Sequence, residues 1–148
     1  MLRGLHFQVP PAEQHKLVLC LEGSALDAVV DLRRGSPAYG KYALFELSGG
    51  TPRMLCLPPG TAHGFLAREE GTVMLYRVTS EHVPELDLGI RWDSAGVPWG
   101  LEAQAPVLSA RDLQWPKLQN FVSPFVFDGA KQSVFAGGAA QAGGDPCV

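Results

Sequence analysis

Three side chains in this sequence are of the types needed to remove a proton from carbon: an imidazole, a carboxylate and an ammonium group. His6 lies in the apolar segment Leu2–Gln8 (LRGLHFQ) and is a candidate base. An imidazole serves as a base when a carboxylate orients it and a cation stabilises the anion that forms. Asp112 and Lys16 are the candidates for these two tasks. The residue types point to proton transfer, provided that the fold brings them together.

Each of these residues also has a purely structural explanation. A lone histidine on a strand is more often a satisfied core or rim residue than a base. Asp112 by itself suits the start of a helical turn. Lys16 by itself suits a charged residue that protects a strand edge.

A second histidine follows a tight turn in Pro58–Phe65 (PPGTAHGF). The Pro-Gly turn delivers His63 onto the next strand, and the spacing resembles the second motif of cupins. Metal-binding cupins add a His-x-His pair and a glutamate on an earlier strand. His6 has no histidine two residues away and His15 lies in a polar segment, so the ligand set is incomplete and no metal site is predicted.

The composition indicates one globular domain. The chain has 148 residues, of which 46% are hydrophobic and 18% charged, enough for a real core. The net charge of −3 argues against a nucleic-acid partner, which would require a basic face. With no apolar run of membrane-spanning length and no signal-type region, we expect no membrane partner and a cytoplasmic location. The cysteines Cys20, Cys56 and Cys147 form no CxxC pair, so neither a zinc site nor a disulfide framework is indicated.

Short β-type segments separated by glycine and proline dominate the chain up to Trp92. The segment Ala25–Arg33 alternates, with Leu26, Ala28, Val30 and Leu32 on one side, which predicts a strand with one buried face. The other predicted strands are Lys16–Glu22, Tyr42–Leu47, Arg53–Leu57 and Thr72–Val78. This regular punctuation predicts an antiparallel sandwich or barrel.

The C-terminal part carries weaker patterns. Ser109–Asp112 is predicted to start a single helical turn. Gly, Ala, Gln and Ser dominate residues 129–148, which predicts a disordered tail after a domain at residues 1–128.

Many short motifs occur in one order along the chain. They include LRGLHFQ (Leu2–Gln8), KLV (Lys16–Val18), DAVVDLR (Asp27–Arg33), LPPGTAHGF (Leu57–Phe65), IRW (Ile90–Trp92) and LSARD (Leu108–Asp112). Together they resemble the dTDP-4-dehydrorhamnose 3,5-epimerase family from Leu2 to about Phe127. The resemblance implies an all-β, cupin-type jelly roll (double-stranded β-helix), a homodimer, and a nucleotide-sugar substrate in dTDP-rhamnose biosynthesis. It also implies epimerisation of a 4-keto-6-deoxy sugar without metal or cofactor.

The resemblance assigns a role to each candidate residue. His6 matches the family's base, Asp112 the carboxylate paired with it, and Lys16 the lysine beside the enolate. The substrate-binding residues that it implies are Arg3, Gln8, Asp27 and His63.

One position departs from the family pattern. The family has a tyrosine, the acid opposite the base, two residues before the counterpart of Pro84, and this chain has His82 there. His82 is therefore the candidate acid. A histidine at this position is also compatible with a single-position epimerase, with a different sugar, or with a non-catalytic sugar-nucleotide-binding protein.

The sequence begins at the counterpart of the family's LRGLH motif and is short at its N-terminus by comparison. In the family, a preceding segment supplies strands to the dimer and residues that hold the nucleotide. We therefore assign no nucleotide from the sequence.

Overall fold

The computed structural model describes residues 1–51, 53–101 and 105–129, and their regular structure is β-strand apart from two short 3₁₀ helices. The strands are β1 (Leu2–Gln8), β2 (Lys16–Glu22), β3 (Ser24–Asp31), β4 (Tyr42–Ser48), β5 (Met54–Leu57), β6 (Thr61–Ala67), β7 (Val73–Val78) and β8 (Asp87–Gly89). The 3₁₀ helices are Pro84–Leu86 and Leu118–Asn120. The all-β prediction is confirmed.

The strands form two antiparallel sheets. The larger has the order β4-β3-β6-β1-β8 and the smaller the order β5-β2-β7. Val18 and Leu55 of the small sheet pack against Val29 and Leu47 of the large sheet in one buried cluster. Two facing antiparallel sheets with crossover connections make the cupin-type jelly roll that the sequence predicts.

Strand β3 is buried on both faces, so the prediction of one buried face is wrong. Val29 packs between the sheets, while Leu26 and Val30 belong to a second buried cluster with Ile90 and Trp99. The chain after β8 covers the outer face of the large sheet, and this layer is the reason for the second buried face. Alternate side chains of β3 therefore enter two different buried clusters, and neither face of the strand is exposed to water.

A bulge in β1 decides which side chains of this strand face the small sheet. Arg3 pairs with Phe65 and His6 with His63, so the register shifts by one residue between the two pairs. Gly4 lies in this bulge with φ +132°, and a Cβ there would lie 2.5 Å from the Cα of Gly64. Directly paired residues share a face, and the extra residue therefore places Arg3 and His6 on the same side of the sheet.

The local predictions have different outcomes. Strand β2 has the predicted limits, and β4, β5 and β7 differ from theirs by one residue at one end. Ser109–Asp112 forms a turn, in which the Asp112 N–H donates to the Ser109 carbonyl at 3.1 Å. Apart from Gly129, the predicted disordered tail, 129–148, lies outside the described residues. Within the described part of the chain, no helix is long and apolar enough to cross a membrane.

Candidate active site

A cleft of about 1010 Å³ opens between the two sheets and collects most of the residues predicted to do chemistry. Of the predicted site residues, those that line it are Arg3, His6, Gln8, Lys16, His63, His82 and Asp112. Asp27 lies behind the cleft wall, hydrogen-bonded to His63. The inward side chains of β1, β2, β6 and β7 form the walls, and the turn at residues 109–112 closes one side.

His6 and Asp112 form a side-chain pair in which Nε2 of the imidazole contacts Oδ1 of the carboxylate. Asp112 is only 1% exposed, and the Ser109 hydroxyl donates to its second oxygen, Oδ2, at 2.7 Å. The backbone N–H of Asp112 donates to the same hydroxyl at 3.1 Å. The carboxylate is therefore held from two sides, and it fixes the orientation of the imidazole.

The imidazole of His6 favours its neutral form. Burial lowers the pKa of His6 below its ordinary value, and this effect outweighs the attraction of Asp112, which raises the pKa. The guanidinium of Arg111 lowers the pKa further. A neutral imidazole held by a carboxylate is ready to accept a proton near neutral pH.

Lys16 begins β2 and carries a cation into the same cleft. Burial lowers the pKa of Lys16 from its ordinary value, with Asp87 opposing and Arg111 reinforcing the shift. Asp87 and Arg111 form an ion pair at 2.6 Å, and the Arg111 guanidinium lies over the Trp115 ring at 5.2 Å. Lys16 and Arg111 therefore make this end of the cleft suitable for an oxygen that gains negative charge.

His63 and Asp27 form a second, deeper pair. Nε2 of His63 lies 2.7 Å from Oδ2 of Asp27, and the two residues are 5% and 0% exposed. The other carboxylate oxygen, Oδ1, is buried without a hydrogen-bond partner among the described residues. Tyr76 stands edge-on to His63 with the ring centroids 5.7 Å apart, and burial together with Asp27 raises the pKa of its phenol.

His82 lies after β7, at the mouth of the cleft, with 59% of its side chain exposed. Its Nδ1 is 3.7 Å from Oδ2 of Asp87, which is an ion pair when the imidazole is protonated. His82, His6 and Lys16 thus line one cleft although they come from three separate parts of the chain.

The side chain of Gln8 reaches the cleft wall, but its carboxamide is bonded to the protein backbone. The amide nitrogen donates to the carbonyls of Ala12 at 3.1 Å and Glu81 at 3.3 Å, and the N–H of Val83 donates to Oε1 at 2.7 Å. Gln8 is 4% exposed. These bonds occupy both polar atoms of the group that was predicted to bind substrate.

Sequence reasoning missed several residues of the cleft. Arg111 adjoins Asp112 in the LSARD motif, and its position beside a candidate catalytic carboxylate was the available signal. Tyr76 pairs with Val18, a core residue, so alternation along the predicted strand could have placed it inward. Nothing near Asp87 in the sequence marks it as the partner of both His82 and Arg111.

The ionisable groups do not assemble a metal site in the part of the chain that the structure describes. No group of three or more His, Cys, Asp or Glu side chains is close enough there to hold an ion. The buried carboxylates of Asp27, Asp31 and Asp112 instead pair with imidazole or guanidinium groups, an arrangement that orients bases and holds cations in place.

Comparison with known proteins identifies the family. A family model described as dTDP-4-dehydrorhamnose 3,5-epimerase matches residues 1–120. The chain is 43% identical over 119 residues to the dTDP-4-dehydrorhamnose 3,5-epimerase of Sinorhizobium fredii, covering 79% of this chain and 60% of that protein. The chain thus spans less than two thirds of the length of this curated relative.

Two solved structures show the same likeness in three dimensions. One is the dTDP-6-deoxy-D-glucose-3,5-epimerase of Legionella pneumophila in complex with dTDP-4-keto-L-rhamnose, with a TM-score of 0.80 and 32% identity. The match covers 86% of this chain and 69% of that one. The other is a 3'-monoepimerase from Streptomyces bikiniensis in complex with dTDP-quinovose, with a TM-score of 0.74, 29% identity, and coverage of 80% and 60%. The chain belongs to the dTDP-4-dehydrorhamnose 3,5-epimerase family.

Proposed function

We propose that this chain is an isomerase that epimerises dTDP-linked 4-keto-6-deoxy sugars by removing a proton next to the C4 ketone and returning one on the opposite face. The observation that carries the proposal is the His6–Asp112 pair, which lines the same cleft as the ammonium of Lys16. The names of the relatives support the substrate class, since they describe dTDP-sugar epimerases and complexes with dTDP-linked sugars.

His6 is the base in this reaction. Asp112 holds Nε2, so the other ring nitrogen, Nδ1, takes the proton from the carbon beside the ketone. The electron pair of the C–H bond becomes the new C=C bond, and the carbonyl electrons move to the C4 oxygen. Asp112 stabilises the imidazolium that forms.

Lys16 stabilises the enolate. Its ammonium hydrogen-bonds the C4 oxygen, where the negative charge develops, and Arg111 adds positive charge at the same end of the cleft. Because both groups are in place before the reaction, little reorganisation is needed when the charge appears.

His82 returns the proton on the opposite face of the sugar. Its imidazolium gives a proton to the enolate carbon, the C=C bond is consumed, and the ketone re-forms. Oδ2 of Asp87 lies 3.7 Å from Nδ1 and places a carboxylate beside the ring. His6 then loses its proton to solvent and His82 regains one, so no net proton is consumed.

Arg3, His63 and Asp27 bind and orient the substrate. Arg3 shares the cleft-facing side of β1 with His6, which suits a cation for the diphosphate of a nucleotide sugar. Asp27 accepts from Nε2 of His63 and fixes its ring, which leaves the other ring nitrogen, Nδ1, to accept a hydrogen bond from a sugar hydroxyl.

A homodimer remains part of the proposal. Leu19 pairs with both Met54 and Leu75, so the three side chains share the outer face of the small sheet. Met54 is 44% exposed and Leu75 is 49% exposed, and β7 is an edge strand of this sheet. An apolar face beside an edge strand favours association with a second copy. A cytoplasmic location stays a prediction of the sequence.

Solvent-deuterium exchange tests the function. The chain is incubated in D₂O with dTDP-linked 4-keto-6-deoxyglucose, and ¹H NMR follows the signals at C3 and C5. We expect loss of at least one of these signals together with the appearance of the inverted sugar. His15→Asn is the matched control, because His15 is exposed and lies outside the cleft lining. Binding of the nucleotide sugar without exchange at either carbon would instead indicate a non-catalytic binding protein.

A further inference from the structure

Gln8 clamps the backbone on both sides of His82. Its amide nitrogen donates to the Glu81 carbonyl at 3.3 Å, and its Oε1 accepts from the Val83 N–H at 2.7 Å. The same nitrogen donates to the Ala12 carbonyl at 3.1 Å. A buried carboxamide with bonds to the residues before and after His82 restricts the backbone from which the imidazole projects.

The connection between β1 and β2 extends this clamp. Gln14 donates to the Ser80 carbonyl at 3.3 Å, and the Ser80 hydroxyl donates to the Ala12 carbonyl at 3.3 Å. Farther along, the His15 N–H donates to Oγ1 of Thr79 at 3.0 Å. The connection that links the strand of His6 to the strand of Lys16 therefore also holds the segment that carries His82.

The ring of His82 has weaker support of its own. Its described partner is Asp87, at 3.7 Å from Nδ1, and the side chain is 59% exposed. Asp87 is itself held by Arg111 at 2.6 Å. With a single long contact to the ring, the position of the imidazole depends mainly on the position of its backbone.

We propose that Gln8 is a positioning residue that fixes the backbone of His82, and so sets the imidazole at the acid position of the cleft. This inference rests on the proposed function. It gives Gln8 the role of supporting the acid, His82, in place of the predicted role of binding substrate. It also explains a buried glutamine two residues after the base: one strand carries the base, His6, and the clamp for the acid, Gln8.

A misplaced acid changes the outcome of the reaction in a specific way. His6 still removes a proton, and it can return a solvent deuteron to the same face, which gives exchange without inversion. Inversion needs delivery from His82 on the other face. The ratio of inversion to exchange therefore reports on the acid separately from the base, and a general loss of folded protein leaves this ratio unchanged.

The test compares Gln8→Met with Gln14→Met. Both variants remove a carboxamide that bonds to the segment before Pro84, and Gln14 is similarly buried, but its bonds reach Ser80 rather than the residues flanking His82. In D₂O with dTDP-linked 4-keto-6-deoxyglucose, we expect Gln8→Met to lower the ratio of inversion to exchange on the order of 10²-fold, the cost of misplacing a reacting group by about 1 Å. Gln14→Met should lower the ratio much less, because the bonds of Gln14 end at Ser80, two residues before His82. An unchanged ratio in Gln8→Met overturns the proposal.

A measurement independent of activity accompanies the test. The ring signals of His82, assigned from their loss in His82→Ala, are compared by NMR in wild type and in Gln8→Met. We expect them to shift or broaden while those of His15 stay in place, and unchanged His82 signals would count against the clamp. Gln8→Glu, which keeps the acceptor for Val83 but lacks the two donors, should behave like Gln8→Met.

The possible failures are distinguishable. If wild type shows neither exchange nor inversion, the proposed function is wrong, and the NMR comparison still decides whether Gln8 positions His82. If both Gln8 variants fail to fold while Gln14→Met folds, Gln8 is a folding residue and the positioning role is overturned.

Discussion

His6 and His63 lie directly opposite each other on β1 and β6, and each imidazole is paired with a different buried carboxylate. Asp112 reaches His6 from the turn at residues 109–112, and Asp27 reaches His63 from β3. Two oriented imidazoles thus stand side by side on one sheet. Their environments differ, because His6 is partly open to the cleft whereas His63 is 5% exposed. Because of this difference, we propose His6 for proton transfer and His63 for substrate binding.

Asp112→Asn should slow the reaction and move its acid limit. Asp112 raises the pKa of His6, so its loss lets burial lower that pKa further, and the acidic limb of the rate profile should move to lower pH. In wild type we expect this limb below the reference value for histidine, about 6.5, because burial lowers the pKa of His6. The maximal rate should fall about 10²-fold or more, because the imidazolium loses its counter-charge. A pH–rate profile checks both effects, and a limb that moves upward would contradict them.

His82→Tyr should keep inversion and extend activity to higher pH. A phenol holds its proton to higher pH than an imidazole, since the reference values are about 10 and about 6.5. The alkaline limb should therefore move upward in the variant, while His82→Ala should retain exchange and lose inversion. Product analysis by NMR across pH measures both properties, and full inversion by His82→Ala would remove His82 from the mechanism.

Lys16→Met should lower the reaction rate without lowering the stability of the fold. Without the ammonium, the enolate loses its main counter-charge, and the rate should fall about 10²- to 10³-fold. Burial lowers the pKa of Lys16, which means that the folded state disfavours the charged form. The variant should therefore unfold at the same temperature as wild type or higher. Calorimetry measures the unfolding temperature, and NMR measures the rate of deuterium exchange into the sugar. A lower unfolding temperature together with a wild-type exchange rate would contradict both predictions.

Asp31 should make stability depend on pH under acidic conditions. Burial alone would raise the pKa of Asp31, but its bonds to Arg33 at 2.9 and 2.7 Å and to Ser36 at 2.7 Å outweigh this and lower it. A carboxylate with a lowered folded pKa contributes stability above its unfolded value, about 3.9, and this contribution is lost as pH falls through the folded value. Asp31→Asn should cost about 3 kcal/mol at neutral pH, because the buried Arg33 loses its partner. Denaturant unfolding at several pH values should show the gap to wild type narrowing below pH 4.

The fold was predictable because glycine and proline punctuate strands whose side chains alternate. Alternation along β3 correctly separated Leu26 and Val30 from Val29, but it could not show that a further layer covers the outer face. The alternation of side chains along a strand also could not predict the bulge at Gly4. Strict alternation would place Arg3 and His6 on opposite faces, whereas the pairing places them on one.

The site was partly predictable, because motif order identifies residues but not their contacts. His6, Lys16 and Asp112 line one cleft, as their types suggested. The engagement of Gln8 with the segment around His82 depends on contacts between residues more than 70 positions apart, which no local pattern encodes.

The most direct measurement compares deuterium incorporation by His6→Asn and His63→Asn, the two histidines that face each other across β1 and β6. Both variants are incubated in D₂O with saturating dTDP-linked 4-keto-6-deoxyglucose, and deuterium at C3 and C5 is followed by NMR. If His6 is the base, His6→Asn shows no incorporation above the protein-free control. His63→Asn still incorporates deuterium, but its KM for the nucleotide sugar is higher than that of wild type. Incorporation at the wild-type rate by folded His6→Asn would contradict the proposed mechanism.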